Sequence, residues 1–210
     1  MPVEGEQYPV NLILSGRRCL VVGGGRVAAR KVAGLLACGA EVHVIAAEPG
    51  AEIAALCVPV ERRAYRDGDL DGYRLVIAAT DDPAVNRAIF EAGEAAGTWV
   101  NSADDPASCS FTLPSVVRRG PIMVTVATGG RSPALSAWLR DRIEGFVGPE
   151  YEVLLELVAR AREAIRAEGR STEQVDWQIV LDSDMLELIR DGHPDLARER
   201  LQTWLSSLSG

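Results

Sequence analysis

The run Cys19-Leu20-Val21-Val22-Gly23-Gly24-Gly25-Arg26-Val27-Ala28-Ala29-Arg30-Lys31 constrains this chain more than any other segment. An apolar strand pattern enters three glycines and a helical pattern begins at once. Gly23, Gly25 and Ala28 take the three spaced positions of a dinucleotide-binding fingerprint, whose last position tolerates alanine. The first glycine lets the chain turn off the strand, the second lets backbone approach a pyrophosphate, and the third small residue lets helix and strand pack closely. Phosphates bind at such a helix start because its first amides have no partner and the macrodipole favours negative charge there. The motif points to a bound dinucleotide.

The rest of the chain has room for such a domain and an appendage. Its 210 residues are 47% hydrophobic and 25% charged, an ordinary globular balance. A formal net charge of −8 argues against a nucleic-acid binder, which needs a basic surface to neutralise phosphates, and means that an anionic substrate requires a local basic pocket. The cysteines, Cys19, Cys38, Cys57 and Cys109, form no CxxC pair, which removes zinc-ribbon and thioredoxin-type readings. Cys19 and Cys38 lie in apolar patterns and read as buried thiols. His43 and His193 have no Cys, Asp or Glu at ligand spacing, so no resident metal is expected. With neither a signal-peptide pattern at the start nor an apolar run of spanning length, a cytoplasmic protein without membrane association is expected.

Strand and helix patterns alternate through the first half. Arg18–Val22, Glu41–Ile45, Val58–Arg62, Leu75–Ala79 and Thr98–Asn101 read as strands. Helices are predicted over Val27–Cys38, Glu52–Leu56 and from Pro83 to about Ala96, with turn chemistry at Asp67–Gly72. Alternation of this kind predicts an α/β fold with a Rossmann-like parallel sheet. After Leu113 the pattern changes to strand-turn-strand, over Ser115–Arg118 and Ile122–Ala127. A second glycine loop, Thr128–Pro133, then precedes a helix over Ala134–Phe146. The remainder reads as a helical tail: Tyr151–Ala167, Thr172–Arg190 and Pro194–Leu208. The expected division is a dinucleotide-binding domain over 1–113, a hairpin-and-helix segment over 114–148 and a helical domain over 149–210.

Candidate ligand positions follow the strand ends, because ligands in open parallel sheets bind at the carboxyl edge. Glu48, an acidic residue past the motif, suits the adenosine ribose hydroxyls and disfavours a 2′-phosphate, favouring NAD over NADP. Thr80 ends one strand with a hydroxyl suited to ribose or phosphate. Asp81 and Asp82, ahead of Pro83, read as helix caps. Asp104 and Asp105 follow the next strand, where a general base is expected, and Asp105-Pro106 also reads as a turn. Arg131 sits in a glycine loop at a helix start, where an anionic group is welcome.

Taken together, these motifs resemble the precorrin-2 dehydrogenase and sirohydrochlorin ferrochelatase family, which includes a region of bacterial siroheme synthase and its stand-alone relatives. The matching residues are Pro9, Val10 and Leu12; Val21 through Lys31; Ala78-Ala79-Thr80-Asp81-Asp82; Asn101, Asp104, Ser110, Phe111, Pro114 and Ser115; and Gly129, Gly130, Ser132 and Pro133. They cover roughly Tyr8 through Phe146. The resemblance implies NAD-dependent oxidation of precorrin-2 to sirohydrochlorin, with insertion of Fe²⁺ as a second activity in bifunctional members. It puts the catalytic aspartate at Asp104. Gly23, Gly24, Gly25, Arg26, Val27, Ala28, Ala47, Glu48 and Thr80 would hold the cofactor. Ser110, Thr128, Gly129, Gly130, Arg131 and Ser132 would contact the tetrapyrrole. It also implies a homodimer assembled through the hairpin and following helix.

Asp105 directly after Asp104 leaves two aspartates for the base. Cys109 stands where a small residue is usual, and Arg131 replaces a commoner uncharged residue, which suits contact with a substrate carboxylate. A second reading stays open from another class, a non-catalytic dinucleotide-sensing regulatory domain. The Ser110–Pro133 motifs are what such a sensor has no reason to carry.

Overall fold

The computed structural model describes residues 5–207. Strands β1 (Arg18–Val22), β2 (Glu41–Ile45), β3 (Val60–Glu61), β4 (Leu75–Ala78) and β5 (Trp99–Ser102) form a five-stranded sheet of order β3-β2-β1-β4-β5. Every pairing in it is parallel. Side chains alternate across a strand, so β1 feeds two cores. Cys19 and Val21 pack with Leu75 and Ile77 under α1 (Arg26–Ala37) and α2 (Ala51–Ala55). Leu20 and Val22 pack with Val76, Ala78 and Ile89 of α3 (Pro83–Ala96) on the other face. The order reverses between β1 and β4, the switch point at whose carboxyl end ligands bind in open parallel sheets. That is where the glycine loop lies.

Local chemistry sets the helix ends. Asp82 caps α3 by accepting the Ala84 amide at 2.8 Å, with Pro83 at its first position. Gly97, at φ +67°, closes it in the left-handed region. Cys38 departs from expectation: it caps the C-terminus of α1 and is exposed, whereas Cys19 is fully buried and its thiol is pushed up to about 11 by desolvation.

The chain forms two compact units, and their membership differs from the expected segments. The first holds the chain through Leu113 together with Ala127–Pro133; the second holds Pro114–Val126 and the chain from Ala134 onward. In the second, β6 (Ser115–Arg119) and β7 (Ile122–Val126) pair antiparallel, with the turn at Gly120-Pro121. Arg119 ties this hairpin to α4 (Pro133–Phe146) by bonding the Glu144 carboxylate and carbonyl, both at 3.3 Å. Hairpin and helical tail therefore belong to one body.

The tail's own core joins Leu154, Leu157 and Ala161 of α5 (Glu150–Ala167) to Met185, Ile189, Ala197 and Leu201. The single helix predicted over Thr172–Arg190 is broken. A 3₁₀ turn at Thr172–Gln174 is followed by α6 (Trp177–Leu181) and α7 (Met185–Arg190). Asp176 caps the start of α6. At the break, the Ser183 hydroxyl donates to the Val180 carbonyl at 2.7 Å and accepts the Met185 amide at 3.4 Å. Such side-chain bonds compete with helix continuation. The last helix, α8, spans Pro194–Ser207, and Leu208 lies outside the described residues. Among the described residues no helix is long and apolar enough to cross a membrane.

Candidate active site and cofactor loop

The glycine loop has the geometry its sequence demands. Gly23 adopts φ +131°, and a β-carbon there would collide with the Ala79 carbonyl, so the chain leaving β1 can lie this close to the end of β4 only at a glycine. Gly24 backs onto Glu48 and Pro49 instead, and its carbonyl accepts the Gly50 amide at 3.0 Å. Gly25 opens α1 with no side-chain cap, and nothing lies within 4 Å of where its β-carbon would be. Ala28 is fully buried against the sheet, as close helix–strand packing requires. Arg26 and Val27 are exposed at the helix start, and Ala47 and Glu48 are exposed on the adjoining loop. The structure thus brings together Gly24, Gly25, Arg26, Val27 and Glu48. Open space at Gly25, unpaired first-turn amides and a nearby carboxylate fit a dinucleotide: amides for the pyrophosphate, Glu48 for ribose hydroxyls.

A polar network continues from the end of β4. Thr80 is bound up with Asn86 of α3, a residue only 1% exposed. Asn86 Oδ1 accepts the Thr80 amide at 3.1 Å and the Thr80 hydroxyl at 2.8 Å, while its Nδ2 donates to the Thr80 carbonyl at 3.1 Å. The same Nδ2 donates to Asp104 Oδ1 at 3.0 Å. Ser102 Oγ donates to that oxygen at 2.5 Å. Asp104 is itself exposed. One carboxylate oxygen is thus anchored from behind, and among the described residues the other takes no hydrogen bond.

Asp105 has different work. It accepts the Ala107 amide at 3.0 Å and the Ser108 hydroxyl at 2.9 Å, capping the 3₁₀ turn Pro106–Ser108, and these bonds hold its carboxyl below the usual carboxylate range. Cys109 closes the loop between the aspartates and β5. Its sulfur accepts the Ser102 amide at 3.2 Å and lies 3.3 Å from the carbonyls of Ser102 and Asp105. Burial pushes this thiol up, with Asp105 and Asp104 adding to the shift. Lys31, the lone lysine, is half-buried on α1 and electrostatically coupled to Cys109; burial pulls its ammonium down.

Ser110 is tied inward: it donates to Glu94 at 2.8 Å and accepts the Val100 amide at 3.3 Å, fastening the loop to α3 and β5. In the second glycine loop, Thr128 Oγ1 accepts the Ser132 amide at 3.2 Å and bonds the Ser132 carbonyl at 3.1 Å. Gly129 and Gly130, at φ +58° and +72°, make the turn and leave Arg131 exposed. Asn86 was absent from the expected site. Its signal was present, since Asn86, Ile89 and Gly93 share the buried face of α3, where a polar residue needs partners.

A family model described as "Putative NAD(P)-binding" matches residues 10–115. The siroheme synthase of Thioalkalivibrio sulfidiphilus is 40% identical over 206 residues, which are 95% of this chain and 42% of that protein. That of Nitrosococcus oceani is 38% identical, covering 95% of this chain and 44% of its own length. The chain therefore spans less than half of these relatives. Among solved structures, SirC, a precorrin-2 dehydrogenase, superposes with a TM-score of 0.69 at 25% identity, covering 96% of this chain and all of SirC. On its sequence, its fold and the fit of its glycine loop, the chain belongs to this NAD(P)-binding family, and it is similar to siroheme synthases and to a precorrin-2 dehydrogenase.

Proposed function

We propose that this chain is an NAD-dependent precorrin-2 dehydrogenase of siroheme biosynthesis, removing a hydride and a proton from the macrocycle to give sirohydrochlorin. The observation that carries it is Asp104: an exposed carboxylate at the carboxyl edge of β5, with Oδ1 anchored by Asn86 and Ser102. A base must be held in one orientation and still reach its proton, and Oδ2 meets both needs. NAD bound at the glycine loop supplies the hydride acceptor. The Gly25, Arg26 and Val27 amides position its pyrophosphate, with Ala47 and Glu48 beside the adenosine ribose and Thr80 at the β4 end. Gly129, Gly130 and Arg131 form the substrate-facing loop, shaped by Thr128 and Ser132, with the Arg131 guanidinium on a carboxylate of the tetrapyrrole. Ser110 braces the loop that carries Asp104.

The chain acts as a homodimer through its hairpin and α4. Trp138 and Phe146, on one stripe of α4 with Arg142, are 52% and 69% exposed, which supports a covered face in the assembly. The reaction belongs in the cytoplasm, where nicotinamide cofactor is available.

Anaerobic incubation with precorrin-2 and NAD⁺, followed by absorbance, tests the reading; the sirohydrochlorin spectrum with stoichiometric NADH is expected. No oxidation overturns it in favour of a dinucleotide sensor. Addition of Fe²⁺ or Co²⁺ to the product then reads metal insertion, in which Fe²⁺ is a substrate: acceleration over a protein-free control shows the bifunctional form, and its absence the dehydrogenase alone.

A further inference from the structure

Asn86 is the most completely bonded side chain near the proposed base. Both atoms of its amide end are in use, with two bonds accepted at Oδ1 and two donated from Nδ2. The orientation of the amide is fixed by its partners. The Thr80 amide can only donate, so the atom facing it must be oxygen, and Nδ2 is then turned onto Asp104. An Nδ2 group can only donate as well, so it requires Asp104 Oδ1 to remain an acceptor. A proton that Asp104 takes is therefore favoured on Oδ2, to which no described residue bonds. Thr80 ends the strand beside the glycine loop, Asn86 stands in the first turn of α3, and Asp104 follows β5. One side chain thus links three segments at the carboxyl edge of the sheet.

From this geometry we infer that Asn86 is a positioning residue for the dehydrogenation, aiming Asp104 Oδ2 at the macrocycle and registering the Asp104 loop against the cofactor end of β4. The inference rests on the dehydrogenase reading above. Its burial explains why a polar residue is tolerated there: every bonding capacity is satisfied, so the desolvation cost is offset.

The test is a double-mutant cycle in the precorrin-2 and NAD⁺ assay. Asn86→Asp keeps the side-chain shape and the oxygen facing the Thr80 amide, but replaces the donor shared by Asp104 and the Thr80 carbonyl with an acceptor that carries the same charge as Asp104. It is expected to lower kcat about ten-fold or more, while KM for precorrin-2 and Kd for NAD change by less than about two-fold. In an Asp104→Ala background the same change should alter the residual rate by less than about two-fold, because the group through which Asn86 acts is gone.

A merely structural Asn86 would lower the rate by the same factor in both backgrounds, and that outcome overturns the inference while leaving the dehydrogenase reading intact. A wild-type chain that does not oxidise precorrin-2 overturns both. If Asn86→Asp does not fold, as judged by circular dichroism, Asn86→Ser is run through the same cycle against the same two outcomes.

Discussion

Gly23 lies with its α-carbon against the carbonyl of Ala79, so close that a β-carbon on Gly23 has no place to go. Two residues away, Gly25 faces open space at φ −81°. These two positions of one motif should fail in opposite ways. Gly23→Ala adds left-handed strain to a collision and should cost on the order of 3 kcal/mol or more, seen as a lowered urea midpoint. Gly25→Ala should change stability by about 1 kcal/mol or less. Its β-carbon instead enters the space a pyrophosphate needs, weakening NAD about ten-fold or more by calorimetry.

The Glu48 backbone packs on Gly24, which places the residue beside the glycine loop. An acidic group there accepts ribose hydroxyls and repels a 2′-phosphate. Glu48→Gln should therefore narrow the NAD-over-NADP preference by about ten-fold, roughly 1.4 kcal/mol, mostly through tighter NADP binding. Unchanged Kd values for both cofactors would remove Glu48 from the site.

Two adjacent aspartates differ in how their carboxylates are bonded. Asp105 is bound at both oxygens inside its own turn, whereas among the described residues nothing bonds Asp104 Oδ2. Asp104→Ala should lower precorrin-2 oxidation about a hundred-fold or more, leaving a small residual rate, with NAD affinity retained; Asp105→Ala should lower thermal stability and keep most of the turnover. The reverse pattern in steady-state rates would move the base to Asp105.

What the sequence disclosed and what it hid have physical causes. The sheet was legible because β1 and β4 are buried on both faces and read as unbroken apolar runs ending in punctuating residues. The cap at Asp82 was legible because capping is local. The burial of Asn86 was legible from the helix period, but its role was not, because its partners Thr80 and Asp104 follow separate strands and only the fold brings them together. The break at Ser183 was hidden by apolar periodicity that runs through it, while a hydroxyl bonding back to Val180 interrupts the backbone ladder. The exposure of Cys38 follows from its place at a helix end, where apolar sequence neighbours do not guarantee cover.

Arg63 grips Asp69 with two hydrogen bonds, of 2.6 and 2.8 Å, and the Arg66 amide adds a third at 2.7 Å. This clamp shapes the connection between β3 and β4, where no helix crosses over. The Arg63 bond holds the Asp69 carboxyl below its usual range. A carboxyl depressed in the folded state stabilises above its unfolded pKa, about 3.9, and loses that contribution as pH falls through the folded value. Asp69→Asn should thus lower the urea midpoint at pH 7, and the gap from wild type should close progressively below about pH 4. A gap that persists undiminished at the acid end would mean that the clamp acts through shape and not charge.

Arg131 is held at the tip of the second glycine loop by bonds that do not involve its side chain: its amide donates to the Thr128 carbonyl at 3.1 Å, and the Ser132 amide donates to Thr128 Oγ1. The loop is thus built by backbone and threonine, and the exposed guanidinium is available for a ligand. With a net charge of −8, the protein repels a polycarboxylate at long range, so a local cation has to supply the attraction. Arg131→Ala should raise KM for precorrin-2 about five- to ten-fold with kcat and NAD affinity little changed, consistent with loss of one charge-assisted hydrogen bond. Arg131→Lys should recover part of that loss, since the charge returns without the bidentate fork. An unaltered KM in Arg131→Ala would show that the tetrapyrrole's carboxylates are met elsewhere.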